Sequence, residues 1–215
     1  MARLQVALDL TDVGRALEVA SRVVSACERS RLLLEAGTPL IKSCGIEAVR
    51  KLSSEFPDIP VVADMKIADV GALEAEMAIS SGAAYVTVLA CASDETVAAA
   101  VDAAHALGGK VVADLMPTAG DPLLRAQRLL RLNVDALCYH VPIDVQRLGA
   151  RQVGSAVLRA LKALGASEVA AAGGITPETA KVLAAWGADI LVVGRFIHSA
   201  ADPGEAARRI LLELG

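Results

Sequence analysis

Residues 61–81 read VVADMKIADVGALEAEMAISS. The first six are a short, apolar, β-branched run that carries two charges, Asp64 and Lys66. Side chains alternate along a strand, so these two share a face, with Asp69 just beyond on the following loop. Gly71 punctuates the run. From Leu73 to Ser81 apolar residues recur at three- and four-residue spacing, the pattern of an amphipathic helix. The stretch is thus one strand–loop–helix unit.

The unit repeats along the whole chain. Strand-like runs occupy 4–9, 32–36, 61–66, 85–90, 110–115, 136–141, 168–172 and 190–195, and helix-like stretches 14–27, 46–55, 73–81, 95–107, 123–132, 155–164, 177–186 and 203–214. Thr176-Pro177 and Asp202-Pro203 set an N-cap residue before a proline at the first helical position. Gly82, Gly108, Gly165 and Gly187 each follow a helical run, where a left-handed residue ends a helix. Strands that alternate with helices form a parallel sheet through right-handed crossovers. A doubly wound open sheet is the competitor. Eight evenly sized units and no GxGxxG after the first strand favour a closed (β/α)8 TIM barrel instead. With 215 residues, near the lower limit for that fold, the chain is expected to be one barrel domain, 1–215, with short loops.

Composition narrows the function. A formal charge of -4 offers no basic footprint for nucleic acid. No apolar run reaches the ~20 residues of a spanning helix, and no leader pattern precedes the first strand, so a cytoplasmic protein without membrane partners is expected. Cys27, Cys44, Cys91 and Cys138 lack zinc spacing and read as free thiols in a reducing compartment.

Barrel enzymes act at the C-terminal ends of their strands. There the sequence places Asp9, Glu35, Asp64-Met65-Lys66, Asp114, His140, Gly173-Gly174 and Gly194-Arg195. Charges among apolar strand residues are expensive unless they meet partners, metal or substrate. Asp64 and Asp69 around Lys66 suit a metal and an ammonium beside developing negative charge; the bland reading is a surface ion pair. Glu35 after three leucines is either an ordinary strand-end charge or, with Asp64 on the neighbouring strand, a second oxygen ligand for Mg²⁺. Gly173-Gly174 and Gly194-Arg195, after strands seven and eight, form the expected phosphate cradle, the alternative being turn glycines and a surface arginine. His140 ends strand six, where it could move protons or be a satisfied core histidine. His105 and His198 read as structural or exposed.

Together these residues resemble the orotidine 5′-monophosphate decarboxylase superfamily, whose mark is Asp-x-Lys-x-x-Asp at strand three, here Asp64, Lys66 and Asp69. The similarity runs from Ala7-Leu8-Asp9 to Gly194-Arg195 and includes LQVALD (4–9), EAGTPLIK (35–42), VADMKIADVG (62–71), EAEMA (74–78), VTVL (86–89) and AAGGI (171–175). The metal-free decarboxylase has a lysine where this chain has Glu35, and a threonine where it has Leu73. The chain therefore looks like the metal-dependent branch of hexulose phosphate synthases and 3-keto-L-gulonate 6-phosphate decarboxylases. Ile143 and Ala172 are similar to the synthases; Arg31, Pro142 and the loop 116–120 depart from their pattern.

That resemblance implies an aldehyde lyase. It would join formaldehyde to D-ribulose 5-phosphate, giving D-arabino-hex-3-ulose 6-phosphate through a Mg²⁺-stabilised 1,2-enediolate. Decarboxylation of 3-keto-L-gulonate 6-phosphate is the rival, and a non-catalytic sugar-phosphate-binding or scaffold barrel the alternative of another class. Position by position, Glu35 and Asp64 would bind Mg²⁺. Lys66 would stabilise the enediolate, and Asp9 would hydrogen-bond substrate and Lys66. His140 and Asp114 would move protons, and Gly173, Gly174, Gly194 and Arg195 would hold phosphate. Asp69 would reach across a homodimer interface into the partner's site.

Overall fold

In the computed structural model, residues 1–116, 121–147 and 154–215 are described. Eight strands follow one another round a closed parallel barrel: β1 (Arg3–Leu8), β2 (Leu32–Ala36), β3 (Val61–Ile67), β4 (Tyr85–Leu89), β5 (Lys110–Asp114), β6 (Ala136–His140), β7 (Glu168–Ala172) and β8 (Ile190–Val193). β8 closes on β1, with Arg3 opposite Ile190. The expected TIM barrel is therefore the observed fold.

The helices are α1 (Val13–Ala26), α2 (Thr38–Cys44), α3 (Glu47–Glu55), α4 (Gly71–Ser80), α5 (Asp94–Ala106), α6 (Pro122–Arg131), α7 (Ile143–Arg147), α8 (Ser155–Ala163), α9 (Pro177–Ala185), α10 (Arg195–His198) and α11 (Pro203–Glu213). Their starts have identifiable causes. Asp12, Ser93, Asp121 and Asp202 accept hydrogen bonds from backbone N–H groups in the first turns of α1, α5, α6 and α11. Thr176 and Thr179 form a capping box on α9, with Pro177 at its first position. Gly82, Gly108, Gly165 and Gly187 have φ of 96°, 77°, 88° and 104°, as helix-ending residues should.

Apolar residues sort into two layers. The larger core lies between sheet and helices and includes Leu4, Leu34, Leu52, Leu129 and Leu161. The smaller fills the barrel and sets Leu33, Tyr85 and Ile190 among smaller side chains such as Ala136, Cys138, Ala170 and Ala172. Small interior residues leave room above them. At the strand starts the floor is polar: Arg3 pairs with Glu168 at 2.5 Å, and the Tyr85 hydroxyl donates to Glu168 at 3.2 Å. Among the described residues, no helix is long and apolar enough to cross a membrane.

The structure departs from the regular pattern at the strand ends. Three short helices, α2, α7 and α10, stand between strand and main helix in their units. β8 stops at Val193, so Arg195 opens α10 rather than ending a strand. In β3 the pairing with β4 shifts between Ala63 and Ile67, and Lys66 has a left-handed φ of 49°. Of the loop 116–120, residues 117–120 lie outside the described residues.

Candidate active site

A cavity of about 700 Å³ opens at the C-terminal ends of the strands and runs down the barrel to Gln5 and Tyr85. Asp9, Glu35, Asp64, Lys66, Asp114, His140, Gly173, Gly174, Gly194 and Arg195 all line it. Ten of the eleven residues singled out from the sequence thus line one space. The eleventh, Asp69, lies exposed on the β3–α4 loop, its Oδ1 accepting from the Val70 N–H at 2.8 Å.

The best-organised group is Asp64. Its Oδ1 accepts from Lys66 Nζ at 2.8 Å and Thr87 Oγ1 at 2.8 Å; its Oδ2 accepts from Lys66 Nζ at 2.6 Å and Thr38 Oγ1 at 2.6 Å. Burial alone would push this carboxyl up. The Lys66 charge and the bonds from Lys66, Thr38 and Thr87 outweigh it and hold Asp64 below the ordinary aspartate value. The same pairing acts on the lysine. Desolvation opposes its charge, but Asp64 first and Asp114 second prevail, so Lys66 stays above the usual lysine range.

Asp114 links this pair to the histidine. Its Oδ2 lies 3.4 Å from Lys66 Nζ and 3.0 Å from His140 Nδ1, while Oδ1 accepts from the Met116 N–H at 3.0 Å. His140 is therefore held by a buried carboxylate. His105 pairs with Asp135 on the outer ring, as expected. His198 differs: α10 turns it into the cavity, where desolvation lowers its pKa and nearby Asp9 opposes that.

Glu35 is 5% exposed and accepts from Gln5 Nε2 at 2.5 Å. Desolvation, then the charges of Asp64 and Asp9, drive its pKa well above that of an ordinary glutamate. Asp9 is open to solvent at the rim. Crowding by the barrel end and then the Asp64 charge still raise its pKa. It makes no hydrogen bond to Lys66; the two act on each other through space.

Among the described residues, no group of three or more His, Cys, Asp or Glu side chains is arranged to hold a metal ion. Mg²⁺ asks for less, since it binds through one or two carboxylates and completes its shell with water and substrate oxygens. Glu35 and Asp64 fit that demand chemically. They are hard oxygen donors, both buried, and their mutual repulsion is what a divalent cation would relieve.

Across the ring, β7 and β8 supply the second half of the cavity. Gly173 has φ 108°, and a Cβ there would lie 2.4 Å from the Val141 carbonyl oxygen, so no larger residue fits. Gly174, at φ 65°, and Thr176 follow on the same wall. Arg195 is exposed at the start of α10, with its side chain on the cavity wall. Glycine backbone and an arginine lining one space suit a phosphate group.

A barrel with a lysine–carboxylate cluster on one wall and a glycine–arginine wall opposite suits a phosphorylated substrate that develops negative charge beside the lysine. Residues 2–210 match the orotidine 5′-phosphate decarboxylase/HUMPS family, and the chain belongs to it. Within that family it is closely related to 3-hexulose-6-phosphate synthase-like enzymes. It is 36% identical over 207 residues to 3-hexulose-6-phosphate synthase 2 of Staphylococcus saprophyticus, covering 96% of this chain and 94% of that one. The crystal structure of 3-hexulose-6-phosphate synthase from Salmonella typhimurium superposes with a TM-score of 0.90 at 33% identity, covering 99% of this chain and 98% of the other. That of 3-keto-L-gulonate-6-phosphate decarboxylase from Vibrio cholerae gives 0.87 at 28% identity, covering 99% and 97%.

Sequence reasoning missed Gln5, Thr38, Thr87 and His198. A glutamine in an apolar strand was the visible clue to Gln5. The two threonines carry no such signal, because threonine is an ordinary strand and helix-start residue.

Proposed function

We propose that the protein is an aldehyde lyase that joins formaldehyde to C1 of D-ribulose 5-phosphate, giving D-arabino-hex-3-ulose 6-phosphate, with Mg²⁺ as its cofactor. The single observation that carries the reading is the hydrogen-bonded chain Asp64–Lys66–Asp114–His140, which faces the Gly173–Gly174 and Arg195 wall within one cavity. The synthase relatives support the choice of reaction.

On this reading the phosphate sits against Gly173, Gly174, Gly194 and Arg195, placing C1 and C2 of the pentulose near Lys66. With Asp114 ionised, His140 donates Nδ1–H to it and keeps Nε2 as the base. His140 takes a proton from C1, and the electron pair moves into the C1–C2 bond as the C2 carbonyl becomes an enediolate oxygen. Lys66 donates a hydrogen bond to that oxygen and keeps its positive charge beside it. Glu35 and Asp64 would hold Mg²⁺, which supplies further positive charge to the enediolate oxygens. C1 then attacks the formaldehyde carbon, forming the new C–C bond, and the proton held by His140 goes to the aldehyde oxygen. Asp9 would orient the substrate at the rim.

The whole chain, 1–215, acts as one barrel domain and pairs as a homodimer. Beside Asp69 an apolar stripe is exposed on α4 and the residue before it: Val70 is 53%, Leu73 56% and Met77 42% accessible. A helix apolar on the side away from its own core suits a partner surface.

Ribulose 5-phosphate in D₂O with Mg²⁺ should exchange hydrogen at C1, and added formaldehyde should be consumed. Release of CO₂ from 3-keto-L-gulonate 6-phosphate, without formaldehyde consumption, would transfer the assignment to the decarboxylase reaction. No exchange and no CO₂ would leave a non-catalytic barrel.

A further inference from the structure

Lys66 sits where its strand is broken. The β3–β4 pairing shifts between Ala63 and Ile67, and the lysine has a left-handed φ of 49°. A non-glycine residue in that region is strained and persists only where its surroundings hold it. The Lys66 N–H, displaced from the regular ladder, donates instead to Thr87 Oγ1 at 2.9 Å. The same hydroxyl gives its own proton to Asp64 Oδ1 at 2.8 Å. Thr87 is 6% exposed inside β4, so bulk water has little access to replace either bond.

One hydroxyl therefore fixes both ends of the lysine's environment: the strained backbone from which the side chain leaves, and the carboxylate that grips its ammonium. Thr38 holds the other oxygen of Asp64 from α2, with no hydrogen bond to the lysine backbone. Valine has the shape of threonine but neither donates nor accepts. Serine keeps the hydroxyl and loses only a methyl group.

We infer that Thr87 is a positioning residue for the reaction, holding Lys66 and Asp64 in register so that the ammonium meets the enediolate oxygen. This rests on the enediolate reading above. Thr87 touches no reacting atom; it acts through Lys66.

The test compares wild type, Thr87→Val and Thr87→Ser, with folding checked by circular dichroism and melting temperature. C1 exchange of ribulose 5-phosphate in D₂O with Mg²⁺ is measured for each. Misplacement of a reacting group by about 1 Å can cost on the order of 100-fold. Thr87→Val should accordingly lower kcat by about 10- to 100-fold. KM should stay within about threefold, since binding is governed by the phosphate wall on the other side of the barrel. Thr87→Ser should recover to within about fivefold of wild type. Amide exchange of the Lys66 N–H, followed by ¹⁵N NMR without substrate or metal, should be at least about tenfold faster in Thr87→Val and near wild type in Thr87→Ser. Should valine not fold, Thr87→Ala takes its place in both measurements. Unchanged kcat in the valine variant, a serine variant as slow as valine, or an unaltered Lys66 amide overturns the role of Thr87. An inactive wild type removes the enediolate reading and this inference together, whereas an active wild type beside an unimpaired valine variant removes this inference alone.

Discussion

Glu35 is a costly group to bury. Its carboxyl is buried beside Asp64 and Asp9, and its pKa is raised well above the ordinary glutamate value by desolvation first and those charges second. A group with a raised folded-state pKa contributes stability below its unfolded pKa, about 4.3, and loses that contribution as pH climbs through the folded value. At pH 8 without divalent cation the buried glutamate is therefore a liability, since the unfolded chain gives up its proton more readily than the folded one. Glu35→Gln keeps the shape and can still bond Gln5. In EDTA it should be more stable than wild type, by on the order of 1 kcal/mol, or roughly 2–4 °C in Tm at this chain length. The difference should fade as pH falls toward 4. Added Mg²⁺ should raise the wild-type Tm and leave the variant unmoved. Calorimetry at pH 4 and 8, with and without Mg²⁺, reads all of these. A wild type that Mg²⁺ fails to stabilise would take Glu35 out of the proposed metal site. This position was legible in the sequence because a glutamate after three leucines is anomalous. The threonines on Asp64 were not, since their meaning depends on contacts 23 to 26 residues apart that only the folded chain brings together.

At the scale of elements, long periodic segments and their caps were legible, and short irregular ones were not. Every expected strand and main helix is present to within a few residues. The helices of four to seven residues, α2, α7 and α10, span too few turns to show a period, yet α10 swings His198 into the cavity. The break in β3 was equally hidden. Alternation placed Asp64 and Lys66 together, and they do meet, but through a left-handed lysine rather than a regular strand. Helix pairing sets a further limit. The first residue of α4 is Gly71, buried against α5, where a Cβ would stand 2.1 Å from the backbone carbonyl oxygen of Thr96. A backbone atom cannot rotate away. Gly71→Ala should therefore force the two helices apart and destabilise the protein by about 2–3 kcal/mol, although alanine is the better helix former. Urea denaturation checks it, and a midpoint equal to wild type would show that α4 and α5 yield more easily than their contact implies. Because α4 begins two residues after Asp69, the same variant should also disturb the β3–α4 loop.

The molecule as a whole gathers its chemistry from nearly every strand into one mouth, and closure of the sheet is what makes this possible. Ring order alone sets Gly173, at the end of β7, across from Asp64 on β3, which is why a strand-end inventory was enough to foresee two facing walls. The same inventory grouped Asp69 with Asp64 around Lys66, but the structure leaves it outside the cavity of its own chain, exposed and bonded locally to Val70. An aspartate set in the superfamily's motif but turned from the site, next to the apolar stripe of Val70, Leu73 and Met77, fits a homodimer in which each subunit lends Asp69 to the other. Sharing of this kind has a signature that no single-chain site can produce. Lys66→Ala and Asp69→Ala should each be nearly inactive alone. After the two variants are mixed, dissociated and reassociated, random pairing makes half the dimers mixed. In each of these, one of the two sites regains an intact Lys66 and an intact Asp69. Activity should recover to about a quarter of the wild-type value, with sedimentation velocity reporting a dimer throughout. No recovery on mixing, with dimers present, would mean that Asp69 serves its own subunit or none. A monomer by sedimentation would leave the stripe on α4 without the partner proposed for it.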